Sequence, residues 1–295
     1  MSAPSPSAEP WTIRKVLDWT RGHFERHEVD APRLTAELLL AHVLEVERVK
    51  LYMDLERPLS KDELAAYRAL IQRRLTSEPT QYLVGAKEFY GRRFEVDARV
   101  LIPRSETELL VEAVLRAVPK DAPARVLDLC TGSGCIAISI AAERPQASVW
   151  ATDLMAGALE VASGNAARLG VDGRVSFFPG DLFAAIPADA TFDVIVSNPP
   201  YVRRGDLPGL QKEVQKEPRA ALDGGEDGLD LIRRIADAAL PRLKAGGLLA
   251  LEIGDEQGAA LKELLVRAGY HDVRIEKDLA RHDRLAFGSA PKDSE

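Results

Sequence analysis

Val126-Leu127-Asp128-Leu129-Cys130-Thr131-Gly132-Ser133-Gly134-Cys135 is the stretch on which the reading of this 295-residue chain turns. Four residues of buried-strand character run into a loop with glycines at 132 and 134, and apolar residues at helical spacing follow. A strand covered on both faces reads as a near-continuous apolar run, and 125–129 is too short to be a helix. Glycine removes the Cβ, so the backbone can turn tightly and approach a ligand at the N-terminus of the following helix. Three readings stay open for this loop alone. It can be a purely structural turn, or a dinucleotide loop, because Gly132, Gly134 and Ala137 satisfy G-x-G-x-x-A and Asp153 follows Gly132 by 21 positions. It can equally be a site for S-adenosylmethionine.

Working outward, a helix is expected from Ser105, with Ser105 and Glu108 as a capping box. Strands are expected over 125–129, 148–152, 175–178, 192–197 and 248–253, with two more near Val273 and Leu285, and helices over 135–142, 155–169, 229–243 and 257–268. Such alternation predicts an α/β fold, a Rossmann-like, mostly parallel sheet with helices on both faces, over residues 104–290. Residues 11–76 instead carry apolar positions at helical spacing throughout. Asp30-Ala31-Pro32 reads there as an N-cap followed by an early proline, Ser60 and Glu63 as a capping box, and Leu51, Tyr52 and Met53 as core. Between these regions, 77–103 reads as a β-hairpin linker, with runs 86–90 and 93–96 about a Gly91 turn. Residues 1–10 and 291–295 are expected to be a disordered lead-in and tail.

The strand over 192–197 ends at Asn198-Pro199-Pro200-Tyr201, at the sheet edge where open α/β folds bind ligands. Consecutive prolines fix φ and remove two N–H donors, leaving the Pro199 carbonyl free to accept from a ligand. With the Asn198 side-chain oxygen it can hold both hydrogens of a planar NH₂ group, while Tyr201 supplies a flat wall. An amide or aryl-amine nitrogen has a delocalised lone pair and attacks a methyl group poorly unless its N–H bonds are polarised and its lone pair aimed. Two acceptors do both, and methyl transfer needs no metal.

The chain is 46% apolar and 29% charged, with a formal charge of −7, which fits a globular protein and excludes collagen or low-complexity architecture. Residues 1–85 hold 12 basic and 13 acidic side chains and the remainder 27 and 33, so neither part is cationic and generic nucleic-acid binding is disfavoured. No apolar run is long enough for a membrane helix, and residues 1–10 have neither a basic nor an apolar leader segment, which points to a cytoplasmic protein. Cys130 and Cys135 form neither a disulfide framework nor a zinc spacing. His23 and His27 share a helical face but lack a third ligand, and Asp206, Glu213 and Glu217 read as solvated or hinge residues.

Leu127 to Gly134, Asp153 and Ser197 to Tyr201 together resemble the class I S-adenosylmethionine-dependent methyltransferases that act on planar nitrogens. The chain more closely resembles the HemK/PrmC family of release-factor glutamine methyltransferases. The likeness extends through Glu78 to Gly85, Glu88-Phe89-Tyr90-Gly91, Val100 to Arg104 with Glu106-Thr107-Glu108, Glu217-Pro218, Asp227-Gly228-Leu229, Lys277-Asp278-Leu279 and Asp283-Arg284. It implies a helical domain that engages the substrate, and a domain that methylates the glutamine of the Gly-Gly-Gln loop in class I peptide chain release factors. It further implies that Cys130, Thr131, Gly132, Ser133 and Gly134 wrap the methionine part of S-adenosylmethionine. Asp153 would bind the ribose, Asp181 and Leu182 would lie against the adenine, and Asn198, Pro199, Pro200 and Tyr201 would hold the glutamine. Cys130 stands where the family has Gly, and Ser105, able to act as an N-cap, where it has Pro. Methylation of a ribosomal-protein glutamine, or of the adenine exocyclic amine in nucleic acid, would use the same holder; the latter must also extrude a base and grip phosphates.

Overall fold

The structure, a computed structural model, describes residues 9–292, so most of the expected lead-in and tail lies outside the described residues. In chain order the elements are α1 (Ile13–Arg26), α2 (Pro32–Val43), α3 (Arg48–Leu51), α4 (Lys61–Leu75), α5 (Thr80–Val84), β1 (Ala86–Phe89), β2 (Arg92–Glu95), α6 (Thr107–Ala117), β3 (Ala124–Leu129), α7 (Cys135–Glu143), β4 (Ala147–Asp153), α8 (Ala156–Arg168), β5 (Val175–Pro179), β6 (Phe192–Ser197), α9 (Asp230–Ala239), β7 (Leu243–Glu252), α10 (Gly258–Arg267), β8 (His271–Lys277) and β9 (Asp283–Ser289). Two units emerge: residues up to Gly85 with Lys212–Lys216, and Ala86–Gln211 with Glu217–Glu295.

In the helical unit Phe24, Leu39, Leu40, Leu51 and Tyr67 form the centre of the core. Ser60 and Glu63 make the expected capping box: Ser60 Oγ accepts the Glu63 N–H at 3.1 Å and Glu63 Oε2 accepts the Ser60 N–H at 2.7 Å. Three expectations need correction here. The N-cap of α2 is Ala31, at φ 44° and without a side-chain bond, because Asp30 turns its carbonyl rather than its carboxylate to Thr35. Of the expected core trio only Leu51 is buried; α3 is a single turn, leaving Tyr52 and Met53 42% and 79% exposed. Tyr52 instead donates its hydroxyl to the buried Glu37, which also receives Arg33 and Arg48. Glu213 is not merely solvated, since it pairs with the buried Arg74.

The other unit is built on a seven-stranded sheet of order β5-β4-β3-β6-β7-β9-β8, in which the ladders from β5 to β7 are parallel and β9 runs antiparallel to both neighbours. From β3 the chain steps outward through β4 and β5, then returns to place β6 on the other side of β3. That reversal makes the carboxyl ends of β3 and β6 a topological switch point, where such sheets open a crevice. Leu129 pairs with Ser197 there, and Ser197 Oγ donates to the Leu129 carbonyl at 2.7 Å. Leu110, Val114, Ile136 and Ile140 belong to one buried core cluster; Ile232, Ile235, Leu261 and Leu265 belong to the other.

The hairpin packs within this unit. Phe89 and Phe94 are buried in its core in an edge-on pair, ring centroids 5.9 Å apart. Tyr90 and Gly91, at φ 48° and 69°, form the two-residue turn, whose paired positive φ values suit the twist of the strands. Glu108 accepts the Tyr90 N–H at 2.8 Å, which corrects the expected Ser105–Glu108 capping box: α6 begins at Thr107 with no side-chain cap. The helix expected over 229–243 ends at Ala239, because Pro241 lacks an N–H, and β7 begins five residues before the expected 248.

Candidate active site

The loop leaving β3 turns through left-handed backbone at Cys130, Gly132 and Gly134, at φ 60°, 55° and 80°. A Cβ on Gly134 would lie 2.7 Å from Ile138 Cδ1 and 3.1 Å from Ala162 Cβ, so glycine is required there by both space and backbone. Asp128, wholly buried, anchors the loop. Its Oδ2 accepts the Thr131 hydroxyl at 2.6 Å and the Ala137 N–H, in the first turn of α7, at 3.2 Å. Burial pushes this carboxyl up to about 7, and its Oδ1 has no partner among the described residues. Asn165 ties the loop to the hairpin, donating to the Ser133 and Glu95 carbonyls at 2.9 and 3.0 Å and accepting the Glu95 N–H at 2.8 Å.

A cleft of about 340 Å³ opens at the switch point, and Cys130, Gly132, Asp153, Asp181, Leu182, Asn198 and Pro200 line it together. Thr131, Ser133 and Gly134 are buried outside its wall, and Pro199 and Tyr201 also lie outside the lining. Asp153 is held by two backbone donors, Gly132 N–H to Oδ2 and Met155 N–H to Oδ1, both at 2.9 Å. Burial raises its pKa against the pull of those N–H groups. Asp181 is exposed and accepts from Arg234 at 2.7 Å.

At the end of β6 the acceptor segment is held from behind. Asn198 Nδ2 donates to Thr107 Oγ1 at 3.2 Å, Thr107 donates to Glu252 Oε2 at 2.6 Å, and the Tyr201 hydroxyl donates to Glu252 Oε1 at 3.2 Å. Burial and the Glu252 carboxylate hold the Tyr201 hydroxyl well above its ordinary pKa, so it stays protonated. Gln257 Nε2 donates to the Tyr201 carbonyl at 3.0 Å, and a Cβ on Gly224 would lie 2.8 Å from the Pro200 carbonyl. Glu217 is buried rather than solvated, correcting the expectation for it, because it accepts the Ile102 N–H at 2.9 Å and Arg104 at 2.5 Å. Asp206 is exposed, as expected.

Residues 15–85 match the family described as PrmC N-terminal domain, and residues 105–226 the Methyltransferase small domain. A protein of Geobacter sulfurreducens named release factor glutamine methyltransferase is 46% identical over 95% of this chain and 97% of its own length. Proteins of the same name from Chlorobaculum tepidum and Bordetella pertussis are 42% and 46% identical, over 95% and 87% of this chain and 97% and 94% of their own. The chain belongs to the release factor glutamine methyltransferase family. Among solved structures, a methyltransferase from Pyrococcus furiosus covers 70% of this chain and 92% of its own, with a TM-score of 0.52 at 19% identity. A T. thermophilus 16S rRNA methyltransferase in complex with AdoMet and guanosine covers 70% of this chain and 49% of its own, with a TM-score of 0.51 at 19% identity. At that identity the likeness shows the class I methyltransferase fold, as the sequence led one to expect.

The methyl donor of this release factor glutamine methyltransferase family member is S-adenosylmethionine. The cleft fits it: its volume lies in the range of about 300–1,000 Å³ usual for small-ligand sites, Asp153 is fixed as an acceptor for a diol, and Leu182 offers apolar surface. Burial pushes the Cys135 thiol up to about 12 and the Cys130 thiol up as well, so neither is a nucleophile near neutral pH. His23 stacks on Trp19, and His27 lies tilted against His23. Sequence reading passed over Thr107, Glu252, Asn165 and Glu217 as parts of the site. Thr107 and Glu217 stood in stretches of family likeness, and Glu252 was marked as a charged residue closing the apolar run Leu248 to Leu251; no such signal marked Asn165.

Proposed function

We propose that this chain transfers the methyl group of S-adenosylmethionine to the side-chain amide nitrogen of the glutamine in the Gly-Gly-Gln loop of class I peptide chain release factors. The observation that carries the reading is the adjacency of β3 and β6, which sets the glycine loop beside Asn198-Pro199-Pro200-Tyr201 in a chain of this family. The sulfonium of the donor supplies an electrophilic methyl group with a neutral leaving group. Asn198 Oδ1 and the Pro199 carbonyl accept the two N–H bonds of the glutamine amide, which polarises them and aims the lone pair along the line of displacement. Positioning of this kind can lower a barrier by up to about 7 to 11 kcal/mol. The Tyr201 ring and Pro200 wall the amide plane, and the proton leaves to water after transfer.

In this reading Cys130 and Gly132 line the methionine end of the cleft, Thr131, Ser133 and Gly134 shape it from behind, Asp153 binds the ribose hydroxyls, and Asp181 and Leu182 meet the adenine. The helical unit engages the release factor. The enzyme works in the cytoplasm with its translation-factor substrate, and no helix among the described residues is long and apolar enough to cross a membrane. Direct nucleic-acid binding is not part of the reading, in keeping with the −7 charge. The test compares kcat/KM for a class I release factor, a ribosomal protein and an adenine-containing oligonucleotide, with labelled S-adenosylmethionine. Preference for the release factor supports the proposal, and preference for either other acceptor overturns it.

A further inference from the structure

Thr107, the first residue of α6, and Glu252, the last of β7, are each 1% exposed, yet they touch the acceptor segment through a chain of hydrogen bonds. Each Glu252 oxygen receives one hydroxyl, from Thr107 at 2.6 Å and from Tyr201 at 3.2 Å. An ionised carboxylate accepts only, so both hydroxyls must point their single hydrogen at it. Burial raises the Glu252 pKa, while the Thr107 hydroxyl, the Arg284 guanidinium and the Tyr201 hydroxyl pull toward the ionised form, and one hydroxyl aimed at each oxygen is the arrangement that form takes. Thr107 Oγ1 is thereby left with lone pairs alone toward Asn198, whose Nδ2 donates to it at 3.2 Å. Turning the Asn198 carboxamide over would set its oxygen against the oxygen of the buried Thr107, which is costly. The direction of one hydroxyl therefore decides which end of the Asn198 amide faces the cleft.

We propose that Thr107 is a positioning residue for methyl transfer, held by Glu252 so that Asn198 presents its carboxamide oxygen, and not its NH₂, to the acceptor nitrogen. The inference rests on the reading of Asn198 as an acceptor for the glutamine amide. With Asn198 inverted, an NH₂ group would meet the N–H bonds of the substrate and repel them. The interaction matters most in the transition state, when those N–H bonds are most polarised, so its loss lowers kcat more than it weakens binding.

The test is steady-state methylation of a release factor by the full chain carrying Thr107→Val, Thr107→Ser, Asn198→Ala and the double variant Thr107→Val/Asn198→Ala, with donor affinity measured by calorimetry. Thr107→Val is expected to lower kcat about tenfold or more, as the loss of one well-aimed hydrogen bond does, with donor affinity and KM within about twofold. Thr107→Ser, which keeps the hydroxyl, restores kcat to within about threefold of the parent, and in the Asn198→Ala background Thr107→Val has no further effect. Thr107→Ala replaces the Val variant if that variant fails to fold. An undiminished kcat, a Ser variant as slow as the Val variant, or additive losses in the double variant would overturn the proposal. A normal Asn198→Ala enzyme would instead overturn the underlying reading of Asn198.

Discussion

Glu217 accepts the backbone N–H of Ile102 at 2.9 Å across 115 positions of sequence, and the same buried carboxylate receives Arg104 at 2.5 Å. Val100, Leu101 and Pro218, neighbours of these residues in the chain, line the cleft. Glu217→Ala leaves a buried N–H without a partner and Arg104 without its carboxylate. A loss of about 1–3 kcal/mol of stability is expected. Glu217→Gln, which still offers one acceptor oxygen, should lose less. Urea unfolding of the three proteins checks the order, and an alanine variant as stable as the parent would contradict it.

Cys130 has its backbone at φ 60°, where a Cβ crowds the following carbonyl. For most positions glycine is less stable than alanine, because it gains freedom on unfolding. Here the order should reverse: Cys130→Gly is expected to be more stable than Cys130→Ala by about 1 kcal/mol, the usual cost of left-handed backbone for an L-residue. Chemical denaturation of the two variants measures it. A more stable alanine variant would mean that the loop relaxes out of the left-handed region.

Burial pushes Asp128 up to about 7 from an ordinary value near 3.8. A carboxyl whose folded pKa exceeds its unfolded one binds the proton more tightly when folded. Its contribution is therefore full below about pH 4 and is lost as pH rises toward 7. Asp128→Asn keeps an acceptor oxygen for Thr131 and Ala137 but cannot ionise. The melting temperature of the variant relative to the parent is expected to climb between pH 4 and pH 7. A difference that stays flat across that window would show that Asp128 does not hold its proton in the fold.

Asp153 fixes the loop through Gly132, and in the proposed function its carboxylate binds the ribose of the donor. Removing a charge-assisted hydrogen bond typically costs about 1.5–3 kcal/mol, so Asp153→Ala should weaken S-adenosylmethionine binding by roughly 10- to 150-fold. Isothermal titration also distinguishes cofactors: S-adenosylmethionine and its demethylated product should bind, and NAD should not. Tight NAD binding would reverse the choice that the glycine spacing alone left open.

What the sequence made legible was local. The run Phe192 to Ser197 was read with its observed limits because its apolar residues end abruptly at Asn198-Pro199, and Ser60 capped α4 because both partners lie within one turn. Ser105 and Glu108 had the same spacing, but Glu108 is drawn to the Tyr90 N–H, a tertiary partner that spacing does not reveal. That Cys130, Gly132, Asp153, Asp181 and Leu182 share one cleft was legible from their motif, whereas the tie between Thr107 and Glu252, 145 positions apart, forms only where β7 and α6 meet behind Asn198. Tyr52 and Met53 went the other way, apolar in character yet left outside by a helix of one turn.

Fragment-ion mass spectrometry reads out where the methyl group arrives, which the proposed function sets on a glutamine side-chain nitrogen. A class I release factor is incubated with this protein and deuterium-labelled S-adenosylmethionine, then digested, and its Gly-Gly-Gln peptide is sequenced by fragmentation. One labelled methyl group is expected on the glutamine residue of that motif, formed at least about 100-fold more slowly by Asn198→Ala, the loss typical of one hydrogen-bonding group at a transition state. An unmodified Gly-Gly-Gln peptide from a protein that binds the donor, or a label on any other residue, would contradict the proposed function.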